Sequence, residues 1–107
     1  NPSELLMSKA FSDVLTYLDQ RFEQTIIDCP PVLAVTDPVI ICKYAGMVLL
    51  VARYYVTDRG EIKAAQKVFD NNDLKFTGAV LNGYDSKKSA YGYTATHYQY
   101  GYKTRDT

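Results

Sequence analysis

Asp28 ends the apolar run "TIID" and is followed at once by Cys29, Pro30 and Pro31. Proline has no amide hydrogen for a sheet ladder, so a strand over 24–28 must stop there. A carboxylate at the C-terminal end of a parallel strand lies on the edge where open α/β sheets take ligands; the same group can also simply cap the next turn. Asp37, in "TDP", is a second carboxylate, placed equally well to cap a helix. Asn82, in "LNG", ends another apolar run, either facing a ligand or making a turn with Gly83. Arg53 and Thr57, in "VARYYVT", follow a further run, at a nucleotide side or an interface, or as a solvated strand end. The far end of the chain holds Tyr91, Tyr93, Tyr98, Tyr100 and Tyr102, five of the ten tyrosines, in a stretch with no Leu, Ile, Val, Phe or Met. Tyrosine hydroxyls accept phosphoryl groups, but with a pKa of about 10 they benefit from a positioned base.

The elements that must hold these groups alternate. "NPSELLMSKAFSDVLTYLDQRF" predicts one helix, with Asn1 as N-cap, Pro2 at its first position and Glu4 completing a capping-box pattern. Met7, Phe11, Val14 and Leu18 give it one apolar stripe. "QTIID" predicts a short buried strand. "TDPVIICKYAG" predicts a second helix, capped by Thr36 or Asp37, opened by Pro38 and closed by Gly46. "MVLLVA" is apolar without alternation, as a strand covered on both faces would be. "TDRGEIKAAQKVFDNND" predicts a third helix, with Asp58 and Glu61 as a capping box and Ile62, Ala65 and Phe69 facing inward. "FTGAVLN" predicts a third strand, broken by Asn82-Gly83. This order implies an α/β fold, a parallel sheet with right-handed crossovers and helices on both faces. Three strands make a thin sheet, so more of it is expected upstream. The packed domain is expected over 1–83, and a flexible tyrosine-rich tail over 84–107.

Composition excludes little else. At 107 residues the chain is one domain or part of one. Twelve basic and twelve acidic residues balance, which gives no reason to expect nucleic acid as a partner. The apolar runs are far short of the roughly 20 residues of a membrane-spanning helix, so this stretch is expected to be soluble. Cys29, Cys42 and His97 show no metal-ligand spacing, and the two cysteines are expected to be reduced and mostly buried.

The stretch "FEQTIIDCPPVLAVTDPVIICKYAGMVLLVAR", with "NPSELL" before it and the tyrosine cluster after it, closely resembles the C-terminal part of bacterial tyrosine kinases. Those are the kinase domains of exopolysaccharide and capsule co-polymerases, related to the deviant-Walker P-loop ATPases of the ParA and MinD type. The resemblance covers essentially the whole chain. It implies a partial P-loop NTPase domain in which Asp28 is the Walker B aspartate supporting Mg2+. It implies Asp37 as the second acidic position after the Pro-Pro turn, and Asn82 near the adenine of ATP. No G-x-x-x-x-G-K-[ST] occurs, so the phosphate cradle is missing, and with it the family's other aspartate-bearing strand. The chain alone is therefore expected neither to bind ATP tightly nor to transfer phosphate.

Three uses of the tyrosine cluster fit its residues: an edge strand with Tyr98, Tyr100 and Tyr102 on one face, a stacking surface, and a flexible phosphorylated segment. Gly92, Gly101 and the lack of aliphatic side chains favour the last. Lys87, Lys88, Lys103 and Arg105 outnumber Asp85 and Asp106 in this region. Five phosphates would add roughly −8 to −10 and reverse its sign. The resemblance implies autophosphorylation of the cluster between neighbouring subunits of a ring-shaped homo-oligomer, reset by a low-molecular-weight phosphotyrosine phosphatase. It further implies control of polysaccharide polymerisation and export machinery at the cytoplasmic face of the bacterial inner membrane. A segment of a ParA/MinD-like ATPase that works in assembly or positioning shares the sheet and the Asp28 motif, but leaves the tyrosines without a reason.

Overall fold

A computed structural model describes residues 1–88. Along the chain these form α1 (Pro2–Leu6), α2 (Lys9–Arg21), α3 (Asp37–Cys42), β1 (Leu49–Arg53), α4 (Arg59–Asn71) and β2 (Gly78–Asn82).

The opening helix is two helices. Asn1 caps α1 by accepting from the amide of Ser3, and Pro2 sits in its first turn, as the sequence indicates. The continuous helix expected over 1–22 breaks at Met7-Ser8. Ser8 adopts extended backbone with φ −78° and ψ 156°, and its hydroxyl donates to the Leu5 carbonyl while accepting from the amide of Phe11. A serine that meets both helix ends with its own side chain favours a cap over a helix interior. The expected apolar stripe is only partly covered. Phe11 packs edge-on against Tyr44 with ring centroids 5.6 Å apart, whereas Met7 and Val14 are more than half exposed.

β1 and β2 are parallel, with Leu49 opposite Gly78 and Arg53 opposite Asn82. α4 makes the crossover between them. Its start is the capping box read from the sequence: the Glu61 amide donates to Asp58 Oδ1 at 2.8 Å, and the Asp58 amide donates to Glu61 Oε2 at 2.9 Å. Ala65 and Phe69 are buried on its inner face, and Phe69 stacks on Phe76 at 4.0 Å. Ile62, expected beside them, is 37% exposed. At Gly78 a Cβ would come within 3.3 Å of Leu49 Cδ2, so glycine there lets the two strands start in register. The strands are pinned beyond that start by Thr77, whose amide donates to the Val48 carbonyl at 2.7 Å and whose Oγ1 accepts from the Val48 amide at 2.9 Å.

Three expectations about the sheet are corrected. The described residues form two strands, not three. "QTIID" joins no sheet among the described residues, and Ile26 is 85% exposed. A strand needs a hydrogen-bonding neighbour, and the strand partners among the described residues are β1 and β2 alone. β1 is also not covered on both faces. Leu50 and Ala52 turn toward α4, while Leu49 and Val51 on the other face are more than half exposed. One helix on the sheet leaves the second face of an apolar strand bare. α3 closes by Lys43 rather than at Gly46, and it buries Pro38, Val39 and Ile41. No helix among the described residues is long and apolar enough to cross a membrane.

Candidate functional site

The residues singled out by their chemistry fall at the last positions of the two strands, in the loop after β1, in the long connection before α3 and at the start of α3. Asp28 ends the unpaired "TIID" segment and is exposed. Its charge reaches the neighbouring thiol: burial, and then the Asp28 carboxylate, push the Cys29 pKa above its ordinary value. Burial followed by the influence of Cys29 does the same to Cys42. Both thiols are free and half-buried.

Pro31, Val32 and Leu33, directly after the Asp28 turn, face Leu50, Val51 and Ala52 of β1 and Thr57, Glu61, Ile62 and Ala65 across a cleft of about 210 Å³. Asp37 does not line that cleft. Its Oδ1 accepts from the hydroxyl of Ser3 at 3.1 Å, tying α3 to α1. Thr36 takes the N-cap position of α3 but makes no side-chain capping bond. Asp37 therefore joins "NPSELL" to "TDP", a tertiary role that only the distant Ser3 reveals.

Arg53 and Asn82 end the two strands side by side. Thr57 closes a tight loop on Arg53, its Oγ1 accepting from the Arg53 amide and its own amide donating to the Arg53 carbonyl, both at 2.9 Å. Asn82 Oδ1 accepts from the Gly83 amide at 3.0 Å, and Gly83 has φ 71°. This is the turn geometry anticipated for Asn-Gly, and glycine is the residue such backbone favours. The Asn82 carbonyl accepts from the amide of Tyr54 at 2.9 Å, extending the ladder one step past β1.

Sequence reading missed Tyr54 and Tyr55. Their signal was the doubled aromatic in "RYYVT" directly after an apolar run. Tyr54 meets Tyr55 and Tyr84 edge to face, at 4.6 and 4.9 Å between ring centroids. These side chains stand at the carboxyl edge of the sheet, where Tyr54, Tyr55, Gly83, Asp85 and Lys88 line a cleft of about 470 Å³. Tyr91, Tyr93, Tyr98, Tyr100 and Tyr102 lie outside the described residues.

Whether a magnesium ion suits these side chains turns on the oxygens each can offer. Asp28 presents an exposed carboxylate, while Asp37 and Asn82 already spend an oxygen on Ser3 and Gly83. The described residues contain no group of three or more His, Cys, Asp or Glu that could hold a metal ion. The set fits one supporting carboxylate, Asp28, not an all-protein cage, and magnesium bound to phosphates commonly needs only one or two carboxylates.

No protein-family model matches the chain. Among curated proteins it is 39% identical over 102 residues to the tyrosine-protein kinase wzc of Salmonella typhimurium, covering 92% of this chain and 14% of that protein. It is 43% identical over 93 residues to the tyrosine-protein kinase ptk of Acinetobacter johnsonii, covering 87% of this chain and 12% of the relative. A "putative tyrosine-protein kinase in cps region" of Klebsiella pneumoniae is 40% identical over 83 residues, covering 78% of this chain and 12% of its own length. The chain thus spans about one-seventh or less of the length of these relatives.

Proposed function

Because this chain is homologous, over about nine-tenths of its length, to a segment of bacterial tyrosine-protein kinases, we propose that it is the C-terminal portion of such a kinase and carries that kinase's own acceptor tyrosines. The identity at 39% over 92% of the chain is the observation that carries this reading. The α/β architecture with parallel strands supports it, and a P-loop NTPase frame with its nucleotide at the sheet's carboxyl edge is the arrangement proposed for the whole domain.

In this reaction the γ-phosphoryl of ATP passes to a tyrosine oxygen; the P–O bond to ADP breaks as the new one forms, and the tyrosine proton leaves to a base. Magnesium, when bound, neutralises phosphate charge. Asp28 is the residue of this chain that would help hold it, with its exposed carboxylate at the Pro-Pro turn. Asn82 lines up with Arg53 at the strand ends, where its position suits the nucleotide's base side; Asp37 serves from behind, fixing α3 through Ser3. Tyr91, Tyr93, Tyr98, Tyr100 and Tyr102 are the acceptors, reached from a neighbouring subunit in a ring-shaped oligomer. Their phosphorylation, reversed by a low-molecular-weight phosphatase, would control capsule or exopolysaccharide assembly by adding negative charge to a basic segment. The chain by itself, lacking a phosphate-binding loop, is proposed to be inactive.

Incubating the complete protein with ATP and magnesium and mapping phosphotyrosine by mass spectrometry tests this. Phosphate within Tyr91–Tyr102 is expected, and an unmodified segment would count against the assignment.

A further inference from the structure

Tyr55 combines three properties that seldom meet in one residue. Its φ is 61°, a backbone region that bulky side chains rarely adopt. Its side chain is 74% exposed, so burial of the ring does not explain the conformation. Its hydroxyl donates to the backbone carbonyl of Lys88 at 2.7 Å, bridging two loops far apart in sequence.

The unusual φ is what makes that bridge. In an extended strand Tyr54 and Tyr55 would point to opposite faces. The left-handed turn instead brings their rings together at 4.6 Å, with Tyr84 against Tyr54 on the other side. Neighbouring bonds hold the turn: the Val56 and Thr57 amides donate to the Arg53 carbonyl at 3.1 and 2.9 Å. The receiving loop is ordered as well, since the Lys87 amide donates to Asp85 Oδ1 at 2.9 Å and the Lys88 amide to the Asp85 carbonyl at 3.1 Å. Backbone strain of this kind persists where surrounding contacts over-determine it.

We propose that Tyr55 is a latch: its hydroxyl fixes the Lys88 carbonyl to the carboxyl edge of the sheet and so sets the point from which residues 89–107 depart. The latch is a property of the fold and stands apart from phosphotransfer. Its consequence for how the five tyrosines are presented rests on the kinase reading above.

The held carbonyl belongs to the Lys88–Ser89 peptide bond, which is a trypsin site, so the latch can be read without nucleotide. Trypsin has to draw this bond into an extended conformation, and the Tyr55 hydrogen bond opposes that. In the complete protein, Tyr55→Phe removes only the hydroxyl. Cleavage after Lys88, measured by mass spectrometry relative to cleavage after Lys103, is expected to rise about fivefold, the net value of one ordinary hydrogen bond. Tyr55→Gly relaxes the backbone as well as losing the hydroxyl, and it should give the same acceleration. If Tyr55→Phe also speeds cleavage after Lys67, inside α4, the fold has loosened, and Tyr55→Gly alone decides. An unchanged Lys88-to-Lys103 ratio in the variant that keeps its fold overturns the latch.

Discussion

The β1–α4–β2 unit and the segment from Phe22 to Thr36 are both rich in apolar residues, yet only the first is packed. In the first, Ala52, Ala65 and Phe69 are buried, and parallel pairing satisfies the backbone. In the second, Ile26, Phe22 and Leu33 are about half exposed or more, and "TIID" has no strand beside it among the described residues. The difference lies in sequence distance to a partner. β1 finds β2 through a single crossover helix within the chain, whereas the described residues offer "TIID" no strand partner.

The contrast can be broken most forcefully by comparing one buried and one bare side chain. Phe69→Ala, at 2% exposure, should cost about 3–5 kcal/mol in denaturant unfolding of this chain, through lost burial and the cavity left beside Phe76. Ile26→Ala in the same chain should change stability by less than about 0.5 kcal/mol. If elements outside this chain cover the segment in a longer protein, the Ile26 cost there should rise to about 2 kcal/mol or more. Equal costs for the two substitutions in the short chain would erase the contrast.

Asp58→Ala removes the capping box of α4 and should cost about 1 kcal/mol, read as a lower unfolding midpoint. Ser3→Ala takes the hydroxyl from Asp37, just beyond the bare segment. It should cost no more than about 1 kcal/mol, because the bond is only partly buried. The smallest effect concerns pH. Burial raises the Cys29 and Cys42 pKa values, so the folded chain retains thiol protons that the unfolded chain gives up. Stability is therefore expected to fall slightly as pH rises through the ordinary thiol range, and the Cys29→Ser/Cys42→Ser double variant should flatten that slope.

Local signals were legible where local chemistry decides. Pro2, the Asp58/Glu61 box and the Asn82-Gly83 turn all stand where their residue types require. The Ser8 break was hidden, since one hydroxyl outweighed an unbroken apolar period. The strand over "QTIID" was misread because apolar character records what a segment would bury, not whether its neighbour is present. At the candidate site, Asp28 was singled out as a candidate from its place before Pro30-Pro31. The Ser3–Asp37 bond and the Tyr55–Lys88 bond were not, because each joins residues that only the fold brings together.

Asp28 belongs to the bare segment of that contrast, and one measurement joins it to the five terminal tyrosines. Phosphotyrosine in Tyr91–Tyr102 should be quantified by mass spectrometry in the complete protein and in its Asp28→Asn variant, each given ATP and magnesium. A kinase that uses Asp28 to support its metal should lose about 10- to 100-fold of that phosphate in the variant while keeping its unfolding midpoint. Equal phosphate in both proteins, or none in either, would contradict the account.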